Sequence, residues 1–210
     1  MWRCQEWNQG SGCVSFYGAT SLVVTQRNPS VRRNRLSAAW SSVGRDSTAV
    51  RLAPNNVKIQ SNLGHALMHK GDLDEAIAEL RTALSMDPNA VNSLVTLGNA
   101  LAAKRDWEGA IAEYQTALRV DPNNSITHYN LGITLKAKGD LEGAITELHT
   151  ALRLSPNHIA AHYELGTALK AQGKKSDARK EFTEVVRLLR DNPANQENIE
   201  NVRQLLRELE

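Results

Sequence analysis

Residues 125–158 read SITHYNLGITLKAKGDLEGAITELHTALRLSPNH, and several positions of this stretch recur along the chain at intervals of 34 residues. Leu131-Gly132 lies in its first half, two alanines lie in its second half, and Pro156 lies near its end. A fixed period of this length indicates an array of helical repeats. The recurring positions are Leu63, Leu97, Leu131 and Leu165; Gly64, Gly98, Gly132 and Gly166; Ala76, Ala110, Ala144 and Ala178; Ala83, Ala117 and Ala151; and Pro88, Pro122 and Pro156.

The first complete unit, residues 57–90, shows how local chemistry builds one repeat. The pattern predicts a helix A over 57–70 and a helix B over 73–86, with Asp72 placed to cap helix B. Pro88 ends helix B, because proline cannot donate a helical hydrogen bond and disfavours helix at the residue before it. The apolar residues of helix B share one face at helical spacing, and they are Leu73, Ala76, Ile77, Leu80, Ala83 and Leu84.

These motifs resemble those of the tetratricopeptide-repeat (TPR) family. The resemblance rests on Asn62-Leu63-Gly64, Ala76, Ala83 and Asp87-Pro88-Asn89 in the first unit, and the third unit repeats them as Asn130-Leu131-Gly132, Ala144, Ala151 and Ser155-Pro156-Asn157. It covers residues 57–192 and implies an all-α fold, a right-handed superhelical solenoid of antiparallel helix pairs. The small residues at Gly64 and Ala76 are expected where the two helices of a unit cross closely.

Four units are predicted, at 57–90, 91–124, 125–158 and 159–192, followed by a capping helix within 193–210. Asn192 and Pro193 are suited to a helix start. The final segment then carries an apolar stripe that would cover the last face of the solenoid, formed by Ile199, Val202, Leu205, Leu206 and Leu209.

The N-terminal part of the chain breaks the pattern. Residues 49–56 align with the end of a helix B and are interpreted as the remnant of a truncated repeat. Residues 1–48 hold no sustained period and are predicted to be disordered or non-native sequence, with a short helix near 36–43 as the exception. An organellar transit segment stays open as an alternative, because several arginines accompany an amphipathic stretch there. The cytoplasm is the favoured location.

Composition excludes several classes of protein. The chain of 210 residues carries 25 Lys and Arg against 23 Asp and Glu, so no global basic field points to nucleic acid. The longest aliphatic run near the N-terminus, Leu22-Val23-Val24, is far too short to span a membrane. Two cysteines cannot form a disulfide scaffold. We therefore expect neither nucleic acid nor membrane as a partner, and the oligomeric state is left open.

No catalytic, cofactor or metal site is predicted. His65 and His69 stand at positions i and i+4, but the zinc-hydrolase motif also needs a glutamate and Ala66 stands in its place. His128 and His162 are interpreted as packing residues. A glutamate that recurs once per unit is interpreted as part of a solvated outer face, and its members are Glu79, Glu113, Glu147 and Glu181. We therefore expect a protein that is not an enzyme.

The remaining chemistry is recognition. The TPR resemblance implies that the A helices line a concave groove for an extended peptide. Asparagine suits such a groove, because its amide both donates to and accepts from a peptide backbone. The residues expected to line the groove are Asn62, His65, Asn99, Tyr129, Asn130, Lys136, Tyr163 and Lys170.

Two lysines and two tyrosines repeat at matching positions of the third and fourth units. A row of rings beside a row of ammonium groups would suit a peptide that carries acidic residues or a free C-terminus. The sequence predicts a non-catalytic scaffold for other proteins. The alternative is the targeting portion of a larger or separately encoded enzyme such as a glycosyltransferase. Asn62 and Asn130 match the asparagine ladder of O-linked N-acetylglucosamine transferase arrays, which Thr96 and Glu164 interrupt.

Overall fold

The computed structural model describes residues 4–5, 14–15, 55–190 and 195–210. Within 55–210 the described residues form nine helices, which confirms the number and the all-α character predicted for this region. The helices are α1 (Val57–Lys70), α2 (Leu73–Met86), α3 (Val91–Ala103), α4 (Trp107–Val120), α5 (Ser125–Lys138), α6 (Leu141–Leu154), α7 (Ile159–Ala171), α8 (Lys175–Leu189) and α9 (Gln196–Arg207). Near the N-terminus, β1 (Cys4–Gln5) pairs antiparallel with β2 (Val14–Ser15).

Short turns join the two helices of each unit. Gly71 ends α1 with φ 100°, a left-handed conformation that glycine adopts without steric cost. Arg105 holds the same place in the second unit with φ 65°. Asp106 then caps α4 by accepting from the backbone N–H of Gly109 at 3.0 Å.

The side-chain cap predicted at Asp72 is not formed. Asp72 stands at the start of α2, but its carboxylate makes no capping hydrogen bond and pairs with Lys70 instead. Its counterparts Asp106 and Asp140 do cap their helices. The lysine at position 70 therefore competes successfully with the helix N-terminus for the Asp72 carboxylate.

The two helices of a unit cross where the sequence places small residues. A Cβ added at Gly98 would lie 2.5 Å from Cε1 of Tyr114, and a Cβ added at Gly64 would lie 2.6 Å from Cγ of Leu80. Such contacts are closer than packed atoms allow. Ala76 is fully buried at the same crossing. The recurrent glycine is therefore required by packing, as predicted.

Stacking of the units creates a continuous apolar core. Each helix contacts the next helix along the chain, and the first helices of adjacent units also contact each other. One buried cluster joins α2 to α5, and another joins α5 to α9. Because a single helix pair cannot bury its own apolar surface, each unit depends on its neighbours.

Helix α9 covers the last unit. Ile199, Val202 and Leu209 are buried against α8, while Leu205 and Leu206 are partly buried in the same cluster. The predicted start at Asn192-Pro193 and the predictions for 1–48 and 49–54, including the helix near 36–43, lie outside the described residues, apart from the two short strands.

Candidate peptide-binding face

The first helix of every unit contributes to one surface, which we call the A-helix face and which is formed by α1, α3, α5 and α7. Side chains from successive units meet there. Asn130 Nδ2 donates to Asn99 Oδ1 at 3.1 Å, and Lys136 Nζ donates to Thr167 Oγ1 at 2.9 Å. The structure thus brings residues more than 30 positions apart in the chain into one row.

Asn99 and Asn130 form the centre of this row. The Oδ1 of Asn99 also accepts from the hydroxyl of Tyr114 at 2.7 Å. Asn130 is buried, while Asn99 is half-buried and Asn62 is exposed. The amide nitrogen of Asn130 is therefore engaged in holding two units together, and of these three asparagines Asn62 is the most accessible to a ligand.

The predicted row of two exposed aromatic rings is corrected by the structure. Tyr129 has 0% of its surface exposed, and its ring centroid lies 4.8 Å from that of His158. Tyr163 is half-buried, with its ring centroid 5.9 Å from that of Phe182. Stacking of the fourth unit on the third covers Tyr129, so this ring belongs to the core rather than to a peptide-contacting surface.

The predicted row of two uncompensated ammonium groups is corrected as well. Lys136 forms an ion pair with Glu164, whose side chain is only 8% exposed. Lys170 pairs with Glu208 at 2.5 Å, and both side chains of that pair are partly exposed. No acid lies one turn before either lysine on its own helix, since Gly132 and Gly166 stand there. The stacking of units supplies the acid instead, from α7 for Lys136 and from the C-terminal end of the chain for Lys170.

His65 and His69 lie together on α1. Their Nε2 atoms are 3.1 Å apart, and their rings meet edge to face with centroids 4.4 Å apart. Burial lowers the pKa of both imidazoles, and for His69 burial and the nearby His65 lower the pKa to about 4. His65 is nevertheless exposed, whereas His69 is half-buried.

The recurrent glutamates are not the plain solvated face that the sequence suggested. Glu147 Oε2 lies 2.6 Å from His128 Nδ1, and Glu181 Oε2 lies 2.6 Å from His162 Nδ1. Glu79 accepts from Gln60 at the same place in the first unit. Three of the four glutamates therefore tie helix B of a unit to helix A of that unit.

His128 and His162 likewise do more than fill space. The Nε2 of His162 lies 2.9 Å from the carbonyl oxygen of Pro156, and the Nε2 of His128 lies 3.0 Å from that of Pro122. Each imidazole therefore faces a carboxylate on one side and a carbonyl on the other. Both ring nitrogens can donate only when the ring is protonated.

The His162–Glu181 pair predicts a pH dependence of stability. Burial alone would lower the pKa of His162, but the hydrogen bonds to Glu181 and to the carbonyl of Pro156 outweigh it, and the pKa is raised. Because the pKa of His162 is higher in the folded than in the unfolded state, its protonation stabilises the fold. This contribution is fully present below the unfolded-state pKa of about 6.5 and is lost as the pH rises through the folded-state pKa.

Glutamine occupies the corresponding position of the first unit, where Gln60 donates to Glu79. Replacing His162 with glutamine should therefore weaken the pH dependence of stability. We expect His162→Gln to reduce the free energy of unfolding by about 1 kcal/mol at pH 6 and by less at pH 8.5. Urea unfolding at several pH values measures this difference. The exposed His149→Gln serves as the control, and an equal loss for His162→Gln at both pH values would contradict the assignment.

Two kinds of site are not found among the described residues. In residues 55–190 and 195–210, together with the two short strands, no three His, Cys, Asp or Glu side chains converge as they would around a fully protein-ligated metal ion. Over the same residues, every helix is too short or too polar to cross a bilayer.

Comparison with known proteins supports the repeat assignment. A family model described as TPR repeat matches residues 64–104, 98–139 and 134–173, which together span more than half of the 210 residues. A comparison with curated proteins finds no match.

Solved structures share the fold at low sequence identity. MamA 41-end from Desulfovibrio magneticus RS-1 is 23% identical, has a TM-score of 0.69, and aligns over 80% of this chain and 94% of its own. Another MamA crystal structure is 21% identical with a TM-score of 0.67, over 78% of this chain and 96% of its own. YrrB, described as a TPR protein with an unusual peptide-binding site, is 22% identical with a TM-score of 0.62, over 78% and 86%.

Proposed function

We propose that the chain, which belongs to the tetratricopeptide-repeat family, is a non-catalytic scaffold that binds extended peptide segments of other proteins along its A-helix face. The observation that carries the proposal is the cross-unit row of polar side chains on that face, where Asn99 contacts Asn130 and Lys136 contacts Thr167. A row that continues from unit to unit suits a ligand that is itself extended. The described peptide-binding site of YrrB supports the same use of the fold.

The exposed amide of Asn62 would supply sequence-tolerant contacts. An asparagine side chain can donate to a peptide carbonyl while it accepts from a peptide N–H, and Asn62 is exposed. Backbone recognition of this kind fixes the direction of the peptide without specifying its side chains. Specificity must then come from charged groups on the same face.

Lys170 is the charged group that we assign to specificity. The side chain of its partner Glu208 is partly exposed, so a peptide carboxylate can replace it in the ion pair at little cost in free energy. The corresponding exchange at Lys136 would leave the buried carboxylate of Glu164 without its partner, which is strongly unfavourable. We therefore propose that an acidic residue or a free C-terminus of the peptide contacts Lys170.

The alternative role, in which the array targets an enzyme such as a glycosyltransferase, has less support. This role was suggested by the asparagine ladder, which requires accessible amides at matching positions of successive units. Asn130 instead donates to Asn99, and Glu164 accepts from Lys136.

Peptide binding tests the proposal with three charge classes. We expect peptides matched in length, with acidic, neutral or basic residues, to bind in the micromolar range, with acidic peptides bound best and more weakly as salt rises. Glu208→Gln should strengthen binding of acidic peptides a few-fold, because it removes the competing carboxylate. Lys170→Gln should abolish the acidic preference. Fluorescence anisotropy measures each affinity.

A matched control separates the site from general charge effects. Lys180 on α8 also pairs with a carboxylate, Asp177 at 2.8 Å, but lies on a second helix of its unit. Lys180→Gln should leave the acidic preference intact. Binding that does not respond to Lys170→Gln would refute the assignment of Lys170, and failure of all three peptide classes to bind would refute the scaffold proposal for this face.

A further inference from the structure

We propose that His65 and His69 bind one divalent transition-metal ion through their two Nε2 atoms. The pair lies one helical turn apart on α1, and the two Nε2 atoms face each other at a separation of 3.1 Å. The sequence showed the spacing but could not show which ring nitrogens face each other. The structure supplies that second observation.

The separation fits two ligands of one ion. Imidazole nitrogens bind zinc at about 2.0–2.1 Å, so two such nitrogens 3.1 Å apart subtend an angle of about 98° at the metal. This angle falls between the octahedral and tetrahedral values. An ion can therefore enter without a change of helix geometry.

The protons can be arranged without loss of either ligand. In the present contact one Nε2–H donates to the other Nε2. When a metal ion replaces that hydrogen bond, the donor ring carries its proton on Nδ1 instead of Nε2. Both imidazoles remain neutral, and no external acid or base is needed.

Two protein ligands leave the coordination shell open. Because no third His, Cys, Asp or Glu joins the pair among the described residues, water fills the remaining positions. Imidazole favours copper, nickel and zinc over magnesium and calcium, and affinity in such a site follows the order copper above nickel, with zinc below copper. The ligand class is thus a borderline transition-metal ion held with moderate affinity.

The chain contains a matched pair that should not bind. His158, the N-cap of α7, and His162 on α7 have the same spacing, but His162 directs its Nδ1 to Glu181 and its Nε2 to Pro156. His158 uses its Nδ1 to accept from the backbone N–H of Ala161 at 3.1 Å. Spacing is equal in the two pairs, so a difference in binding would report the nitrogen geometry.

Isothermal titration of the full chain with NiCl₂ and with ZnCl₂ tests the proposal. Cys4→Ser and Cys13→Ser form the common background, so that thiolates do not compete. We expect one ion per chain, and a loss of affinity of about tenfold or more in His65→Gln and in His69→Gln, because each removes one of two ligands. The paired variant His158→Gln/His162→Gln should bind as the background does.

The location of the ion is measured separately. Broadening of ring proton resonances by Ni²⁺ should be strongest for His65 and His69 and weak for the other histidines. Because His65 is exposed, its replacement by glutamine should leave the circular dichroism spectrum unchanged. Equal affinity in the background and in His65→Gln, or equal losses from the two histidine pairs, would overturn the proposal.

Discussion

Replacing Val202 with Asp is expected to lower the free energy of unfolding by about 3 kcal/mol or more, or to detach the capping helix from the array. Val202 has 0% of its surface exposed and lies in the cluster that joins α5 to α9. A carboxylate at this place would be buried among the apolar side chains of that cluster. Urea unfolding followed by circular dichroism measures the loss.

The neighbouring Arg203 provides the control, because it is exposed on the same helix. Arg203→Asp should change stability by about 0.5 kcal/mol or less. Leu205→Asp should have an intermediate effect, since Leu205 is only partly buried. A stable and soluble Val202→Asp protein would show that α9 does not protect the last unit.

Tyr129→Ala is expected to cost about 3–5 kcal/mol of unfolding free energy, as does the loss of other fully buried aromatic rings. The sequence assigned this tyrosine to the ligand groove, and a groove residue would lose binding with little change in stability. The structure buries the ring between the third and fourth units and against His158. Chemical denaturation therefore separates the two roles directly.

Asn62→Ala is the matched control on the A-helix face. Asn62 is exposed, so its replacement should weaken peptide binding while it changes stability by about 0.5 kcal/mol or less. If Tyr129→Ala were as stable as the wild-type protein and failed only in binding, the burial of its ring would not describe the protein in solution.

The candidate site could be predicted from the sequence only in part. The implied groove positions do lie on the A helices, and the structure brings Asn99, Asn130 and Lys136 into one row. The acids that meet the lysines could not be predicted from spacings of one helical turn, because they lie on other segments of the chain. Glu164 lies 28 positions after Lys136 and Glu208 lies 38 positions after Lys170, separations near one repeat.

The 34-residue period determined the eight helices of the four units, their approximate ends and the close crossing at the recurrent glycine, and the apolar stripe after residue 193 predicted the ninth helix. These features depend on local chemistry, since a glycine permits a left-handed turn and a proline stops a helix within a few residues. The helices of the first unit begin and end as predicted, at Val57–Lys70 and Leu73–Met86. Because the motifs repeat, the same helix pair forms in each successive unit.

The partners of individual side chains were decided only by the tertiary structure. Three such features each depend on residues from more than one segment of the chain: the burial of Tyr129, the ion pair of Lys170 with Glu208, and the contact of His162 with Glu181. Helical periodicity states which face a residue occupies, but the rotation and offset between stacked helices decide which atom it meets. That offset is set by how the apolar cores of neighbouring units fit together, so charge, exposure and protonation on the A-helix face follow from packing rather than from spacing.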